Sequence, residues 1–272
     1  MKTSFATTTE GLFCAPSDPP TDHPPGIKVV ALPTAEEVAE QAAQALLQGA
    51  FDLPGRPLGL ATGRTMAPVY GVFAALVREL PTVERMHLCQ HWQSFNLDEY
   101  VGLGPAAPGS FAAEMEHHLR KPLALPSHQV HLPDGLAADP GAEALRYREA
   151  LRQAGGVGLQ LLGLGLNGHV GFNEPPCGPD SQARCVDLCA STRQANASAF
   201  GGVLAQVPTQ AITLGLSDIL LAQRILLVVT GAAKAPILQR LLHTRPTHSL
   251  PASWLHLHPA TGLLADSAAL GS

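Results

Sequence analysis

From residue 27 onwards, short apolar runs alternate with longer stretches whose apolar residues recur every three or four positions. The short runs have the length and composition of buried strands, and the longer stretches have the period of amphipathic helices. Strands that alternate with helices in this way build a mostly parallel sheet with helices on both faces. The pattern therefore predicts an α/β fold in three layers.

The predicted elements follow this alternation. We predict strands at residues 27–32, 57–61, 86–95, 159–164, 211–214 and 224–229, and helices at residues 34–47, 66–80, 110–119, 142–154 and 233–242. Thr34 caps the first helix in this interpretation, because its hydroxyl can accept a hydrogen bond from a free N–H group of the first turn.

The first 25 residues have a different composition, with five prolines among Ser, Thr and Asp. Such a segment buries too little apolar surface to offset its ordering entropy, so we predict a flexible Pro-rich tail over residues 1–25. No internal repeat and no second linker follows. Residues 26–272 are therefore predicted to form a single domain.

Composition excludes several classes of protein. The chain has 272 residues, a net charge of −5 and 17 dispersed Lys and Arg residues, so it offers no basic row for nucleic acid. No apolar stretch is long enough for a membrane span or a signal peptide. The five scattered cysteines have no C-x-x-C spacing and are expected to be reduced thiols. We therefore expect a cytoplasmic protein.

Three segments carry candidate chemistry. Residues 60–65, LATGRT, lie between a strand and a helix, where free N–H groups and the helix dipole favour an anion such as a phosphate. Residues 95–103, FNLDEYVGL, place Asp98 or Glu99 at the end of a strand, where a general base could meet a substrate. Taken alone, each is more often a structural turn or helix cap than a functional site.

The third segment is residues 163–175, GLGLNGHVGFNEP. Its glycines satisfy the G-x-G-x-x-G spacing of a dinucleotide site, but Gly171 and the following prolines would break the helix that such a site opens, which disfavours this interpretation. His169 and Glu174 could instead form a proton-transfer pair near neutral pH. No spacing typical of zinc ligands surrounds them, so no metal is expected.

Together, the three segments resemble the glucosamine-6-phosphate deaminase (isomerase) family in sequence, order and spacing. The likeness continues through residues 191–193 (STR), 211–216 (AITLGL) and 229–234 (VTGAAK), and it covers roughly residues 27–262. It implies a Rossmann-like three-layer sandwich and the conversion of D-glucosamine 6-phosphate and water to D-fructose 6-phosphate and ammonia. It implies no cofactor, and a small amino-sugar phosphate as the binding partner of a monomer or homo-oligomer.

The resemblance also implies roles for single residues. Asp98 is expected to take the C2 proton and return it at C1, His169 to move a proton during opening of the pyranose ring, and Glu174 to support His169. The implied phosphate-binding residues are Thr62, Gly63, Thr65, Arg193 and Lys234. Asn167 stands where some family members have Asp, and an amide cannot accept a proton at neutral pH, so it can only orient its neighbours.

Two related activities remain open from the sequence. The galactosamine 6-phosphate isomerising deaminases resemble the chain around residues 249–253, and their substrate differs only at C4. The 6-phosphogluconolactonases share the fold and a similar glycine-rich turn, but they typically continue with a Ser-Leu-Phe-Pro-like stretch where this chain has residues 172–175, FNEP. A non-catalytic sugar-phosphate sensor is disfavoured, because it would not need Asp98, His169 and Glu174 together.

Overall fold

A computed structural model describes residues 10–13 and 26–271. Its strands are β1 (Lys28–Leu32), β2 (Leu58–Leu60), β3 (Ser94–Asn96), β4 (Asp98–Tyr100), β5 (Val130–His131), β6 (Leu159–Gly163), β7 (Arg184–Asp187), β8 (Gln210–Thr213), β9 (Arg224–Val229) and β10 (Thr261–Asp266). Its helices are α1 (Ala35–Asp52), α2 (Met66–Glu79), α3 (Thr82–His91), α4 (Phe111–Met115), α5 (Lys121–Leu123), α6 (Pro140–Gln153), α7 (Ala190–Asn196), α8 (Leu216–Ile219), α9 (Ala235–His243) and α10 (Ser267–Leu270). A π-helical turn, Glu116–Arg120, joins α4 to α5.

The described residues form a parallel seven-stranded sheet in the order β1-β10-β9-β6-β2-β3-β5. Its central strands β6 and β9 are almost fully buried, which agrees with their mostly apolar sequences. Helices pack against this sheet, and α1 alone buries eight of its residues. The predicted α/β fold with a mostly parallel sheet is confirmed.

A second, smaller sheet has three antiparallel strands in the order β4-β8-β7. The sequence predicted the strand at residues 211–214 but not its place in a separate sheet. A cluster of buried side chains, including Tyr100, Phe111, Phe172 and Phe200, packs beside this small sheet. The small sheet and its aromatic cluster therefore form a wall beside the carboxyl ends of the large sheet.

One predicted element is wrong. Residues 86–95 were expected to form one strand, but they belong to α3 and then to β3. Met86 and Leu88 are two positions apart, a spacing that also fits one face of a strand. In the helix only Leu88 is buried, whereas Met86 is 63% exposed. Two apolar residues are too few to distinguish the period of two of a strand from the period of 3.6 of a helix, especially when only one of them is buried.

The predicted flexible tail lies mostly outside the described residues. Within it, Glu10–Leu12 form a short 3₁₀ helix, and Leu12 is 1% exposed because it packs into the main core. A Cβ atom added to Gly262 of β10 would lie 2.7 Å from the Leu12 side chain, so the contact with the sheet is close. The flexible tail over residues 1–25 stays a prediction. Among the helices of the described residues, none is both long and apolar enough to cross a membrane.

Candidate active site

A cavity of about 470 Å³ opens where the carboxyl ends of β2, β3 and β6 face the small sheet. This edge of a parallel sheet is the usual place for a ligand, and the volume suits a small molecule. Seven of the nine residues predicted for the site line this cavity: Thr62, Gly63, Thr65, Asp98, Asn167, His169 and Lys234. The structure therefore brings four distant segments of the chain together at one site.

The loop between β2 and α2 forms one wall of the cavity. Gly63 has a φ of +103°, a conformation that favours glycine. Its carbonyl accepts hydrogen bonds from the N–H groups of Met66 and Ala67 at 2.9 and 3.2 Å, so the helix follows the turn directly. Thr65 occupies the N-cap position without capping the helix through its hydroxyl. The partly positive N-terminus of α2 therefore borders the cavity, as an anion site requires.

Asp98 enters the cavity because the chain changes sheets immediately before it. The N–H group of Leu97 donates to the carbonyl of Leu60 in β2 at 3.0 Å. The carbonyl of Leu97 accepts from the N–H group of Leu214, beside the small sheet, at 2.8 Å. The single residue between β3 and β4 is thus hydrogen-bonded toward both sheets. Asp98 follows it and faces the space between them.

The surroundings of Asp98 favour a strong base. The residue is 6% exposed, and burial raises the pKa of its carboxyl well above the ordinary value, with further increases from the charges of Glu99 and Glu114. An ionised carboxylate that is poorly solvated binds a proton more tightly than one in water. Asp98 can therefore act as a general base toward a carbon-bound proton of a ligand in the cavity.

Glu99 is adjacent in sequence but belongs to a different environment. Its carboxylate accepts hydrogen bonds from the backbone N–H groups of Tyr100 at 2.8 Å, Phe111 at 3.0 Å and Ala112 at 2.8 Å. Glu99 lines a second cavity, on the far side of β4 from Asp98. The alternation of side chains along a strand separates the two acids, as expected from their positions. Glu99 therefore anchors the start of α4.

The glycine-rich turn after β6 forms the opposite wall. Gly165 packs its bare Cα against the imidazole of His169, and a Cβ atom there would lie 2.4 Å from ring atoms. The N–H group of Gly165 donates to the carbonyl of His169 at 2.9 Å, and Gly168 reverses the chain with a φ of +85°. Residues 164–173 form turns rather than a helix. The segment thus lacks the helix that a dinucleotide site opens.

His169 is a neutral base in this setting. Burial lowers the pKa of its imidazole to about 4, against the opposing effect of Glu174, and the charge of Lys234 lowers it further. Its Nδ1 lies 3.8 Å from Oε1 of Glu174, which is within electrostatic range but beyond a hydrogen bond. Because the ring is uncharged near pH 7, His169 can accept a proton from a ligand hydroxyl.

Glu174 is held directly behind His169 by groups of α7. Its carboxylate accepts hydrogen bonds from the N–H group of Cys189 at 2.8 Å, from Sγ of Cys189 at 2.9 Å and from the hydroxyl of Thr192. Burial works to raise the pKa of Glu174, but these hydrogen bonds outweigh it and leave the pKa below the ordinary value. Glu174 is therefore a fixed negative charge beside the imidazole.

Lys234 closes the cavity from the start of α9. Its Nζ donates to the carbonyl of Leu164 at 2.5 Å, which aims the ammonium group at the glycine-rich turn. Burial lowers the pKa of Lys234, and the charge of Arg64 lowers it further. The two neighbouring cations make the electrostatic potential in this part of the cavity more positive, which favours an anionic ligand.

The sequence as a whole matches one family model. The model for glucosamine-6-phosphate isomerases/6-phosphogluconolactonase matches residues 28–263. The chain belongs to this family.

Relatives within the family have a common name. Glucosamine-6-phosphate deaminase of Geobacillus sp. (strain WCH70) is 39% identical over 244 residues, which cover 90% of this chain and 95% of that protein. Glucosamine-6-phosphate deaminase 2 of Giardia intestinalis is 41% identical over 216 residues, which cover 79% of this chain and 80% of that protein.

Solved structures agree with the family assignment. A monomeric glucosamine-6-phosphate deaminase superposes with a TM-score of 0.84 and 35% identity, covering 90% of this chain and 99% of that chain. The 6-phosphogluconolactonase from Trypanosoma cruzi superposes with a TM-score of 0.68 and 17% identity, covering 90% of this chain and 96% of that chain. This second likeness shows the fold alone.

Asn167 connects the two members of the proton-transfer pair. Its Oδ1 accepts a hydrogen bond from the N–H group of His169 at 3.2 Å, and its Nδ2 donates to Oε1 of Glu174 at 3.4 Å. The amide thus orients both neighbours without a proton of its own to transfer. This geometry agrees with the limited role that the sequence allowed.

Arg193 is the predicted phosphate-binding residue that the structure does not bring to the cavity. Its guanidinium donates to the carbonyl of Leu204 at 3.0 Å and to the carbonyl of Val207 at 3.0 and 3.3 Å. These hydrogen bonds tie α7 to the chain that leads into β8. The side chain is used to hold this segment and does not line the cavity.

Four residues at the site were not predicted from the sequence. Arg64 lies inside the quoted loop motif, and its charge could have identified it. Glu114 lines the cavity from α4 and accepts a hydrogen bond from the N–H group of Gly63 at 3.1 Å. Cys189 and Thr192 hold Glu174 from a segment fifteen or more residues away. The sequence carries no local signal for these last contacts.

Proposed function

We propose that this protein converts D-glucosamine 6-phosphate and water to D-fructose 6-phosphate and ammonia. The observation that carries the proposal is that Asp98 and His169 line one cavity. The raised pKa of Asp98 suits a base for a carbon-bound proton, and the lowered pKa of His169 keeps its imidazole neutral near pH 7. Relatives that are 37 to 41% identical carry the name glucosamine-6-phosphate deaminase, which supports the same reaction. The steps below describe what each side chain would do.

Ring opening begins the reaction. Neutral His169 would accept the proton of the C1 hydroxyl, and the proton would return to the ring oxygen as the bond between C1 and that oxygen breaks. The imidazolium that forms in between lies 3.8 Å from the carboxylate of Glu174, which stabilises its charge. The product of this step is the open-chain amino aldehyde.

Asp98 would then move a proton along the open chain. It removes the proton from C2 while O1 gains a different proton from solvent, which gives an enolamine, and it returns the C2 proton to C1. One carboxylate can serve both adjacent carbons, because the proton travels only a short way. C2 is left as an iminium carbon, to which water adds as ammonia leaves. The raised pKa of Asp98 suits this role, since a carbon acid needs a strong base.

The phosphate end would lie at the loop between β2 and α2. Thr62, Gly63 and Thr65 border the helix N-terminus there, and Lys234 adds a positive charge from the opposite side. A sugar phosphate bound by its phosphate at this loop would extend across the cavity toward Asp98 and His169.

Ammonia release tests the proposal. The purified protein is incubated separately with D-glucosamine 6-phosphate, D-galactosamine 6-phosphate and 6-phosphogluconolactone, and ammonia or 6-phosphogluconate is measured. We expect ammonia from the first compound at the highest kcat/KM. A higher kcat/KM for the galactosamine compound would change the substrate but keep the mechanism. Lactone hydrolysis without ammonia release would overturn the proposal.

A further inference from the structure

The charged side chains at the phosphate end of the cavity are not the set that the family resemblance implies. Arg193, the expected guanidinium, is bound to the carbonyls of Leu204 and Val207. Among the described residues that line the cavity, the Lys and Arg side chains are Arg64 and Lys234. A guanidinium is thus present at the site, but it comes from the loop between β2 and α2.

Arg64 is available for a ligand. Its side chain is exposed at the cavity, and no described residue forms an ion pair or hydrogen bond with its guanidinium. It follows Gly63, whose positive φ shapes the loop, and precedes the N-cap Thr65. A planar guanidinium in this position can bind two phosphate oxygens at once, beside the N-terminus of α2.

Glu114 contributes the opposite charge to the same loop. Its Oε2 accepts a hydrogen bond from the N–H group of Gly63 at 3.1 Å, and Glu114 lines the cavity. A backbone N–H group of such a loop is a donor that a phosphate oxygen would use. A carboxylate of this chain therefore accepts from one of the donors that a phosphate needs.

We infer that Arg64 supplies the guanidinium that binds the substrate phosphate, and that Glu114 occupies the Gly63 amide until the phosphate displaces it. The inference rests on the proposed function and names the residues that set its phosphate affinity. Arg64 strengthens the binding of a phosphate dianion, whereas Glu114 weakens it through repulsion between like charges and competition for the amide. Arg193 instead maintains the segment after α7.

Binding of inorganic phosphate tests the inference without turnover. Isothermal titration calorimetry measures the phosphate Kd of the wild type and of four variants: Arg64→Ala, Arg64→Lys, Arg193→Ala and Glu114→Gln. We expect Arg64→Ala to raise the Kd about tenfold or more, because it removes charged hydrogen bonds. Arg64→Lys keeps the charge but loses the planar fork, so we expect an intermediate Kd.

The other two variants complete the design. Gln at position 114 can still accept the Gly63 hydrogen bond but carries no charge, so we expect Glu114→Gln to bind phosphate more tightly than the wild type. Arg193→Ala should retain most of the wild-type phosphate affinity while its melting temperature falls. Melting temperatures of all variants are measured in parallel. Because Arg64 has no partner among the described residues, we expect Arg64→Ala to melt like the wild type.

Several results would overturn the inference. They are a wild-type phosphate Kd in Arg64→Ala, a loss in Arg193→Ala as large as in Arg64→Ala, weaker phosphate binding in Glu114→Gln, or no phosphate binding by the wild type at millimolar concentration. The ammonia assay separates this failure from failure of the proposed function. Ammonia release with unchanged phosphate affinity in Arg64→Ala would refute only the inference. Arg64-dependent phosphate binding without ammonia release from either amino-sugar phosphate would refute only the proposed function.

Discussion

The two faces of β4 carry adjacent carboxylic acids with similar burial and different surroundings. Asp98 and Glu99 are 6% and 2% exposed, and burial raises the pKa of both. Asp98 faces the cavity, whereas Glu99 accepts three backbone hydrogen bonds at the start of α4. Burial and a raised pKa therefore do not identify a reactive acid. The hydrogen bonds that the protein itself supplies separate an acid that is free to react from one that holds the fold.

The largest expected effect comes from Asp98→Asn. The amide keeps the volume of the side chain but cannot act as a base, so kcat should fall by at least ~10²-fold while the protein still folds. Exchange of the C2 hydrogen of D-glucosamine 6-phosphate with deuterated water measures the affected step directly. The matched variant is Glu99→Gln on the other face, for which we expect less than a tenfold change in kcat. If Asp98→Asn exchanges this hydrogen at the wild-type rate and Glu99→Gln does not, the two roles are reversed.

The second prediction concerns the wall that faces β4. A Cβ atom in Gly165→Ala would lie 2.4 Å from the His169 ring, so the ring has to move. Because misplacement by about 1 Å can cost up to about 10²-fold in rate, we expect kcat/KM to fall by at least about tenfold. Gly71→Ala is the control, because a Cβ atom at Gly71 has no neighbour within 4 Å. Equal activity of both variants would show that the position of His169 does not limit the rate.

The cavity face of β4 should also determine the pH dependence of activity. Asp98 must be ionised to act as a base, and its pKa is raised well above the ordinary value, so kcat/KM should rise with pH along an acid limb centred well above pH 4. His169, with a pKa of about 4, is already neutral over that range. The pH profile of kcat/KM measures this. An acid limb near pH 4 would mean that Asp98 is as well solvated as an ordinary carboxyl.

The smallest effect belongs to the other face of β4 and concerns stability. The pKa of Glu99 is about 7 in the folded protein, above its ordinary value of 4.5. The folded state therefore binds more protons than the unfolded state between these pH values, and the contribution of Glu99 to stability is present below about pH 4.5 and lost as pH rises to about 7. Urea unfolding of the wild type and Glu99→Gln over this range should show a steeper decline in the wild type, because the raised pKa of Asp98 contributes equally to both proteins. Parallel curves for the two proteins would contradict the assignment.

The sequence predicted best those parts of the molecule that depend on local pattern. The apolar run of β9 gave its bounds, Arg224–Val229, correctly, and Thr34 caps α1 through its hydroxyl as expected. The strands of the small sheet were harder, because β4 has three residues and continues from β3 after one intervening residue. Such a change of sheet depends on distant partners, so no local period indicates it.

In the candidate site too, features that depend on local pattern were predictable, and features that depend on distant contacts were not. Loops at the carboxyl ends of parallel strands meet in space, so the sequence predicted that residues 60–65 and 163–175 would share a site with Asp98. The direction of single side chains was not predictable. Arg193 follows a family motif, yet the carbonyls of Leu204 and Val207 hold its guanidinium away from the cavity. Glu114 reaches Gly63 across 51 residues of sequence.

The two backbone hydrogen bonds of Leu97 allow motion between the two sheets to be measured by amide hydrogen exchange. Its N–H group is bound toward the large sheet, and its carbonyl binds the N–H group of Leu214 beside the small one. Amide hydrogen exchange at Leu97 therefore reports opening of the large sheet next to Asp98, and exchange at Leu214 reports detachment of the small sheet. Comparison of these two exchange rates therefore distinguishes local separation of the sheets from global unfolding, because only global unfolding gives both hydrogens the same free energy of opening.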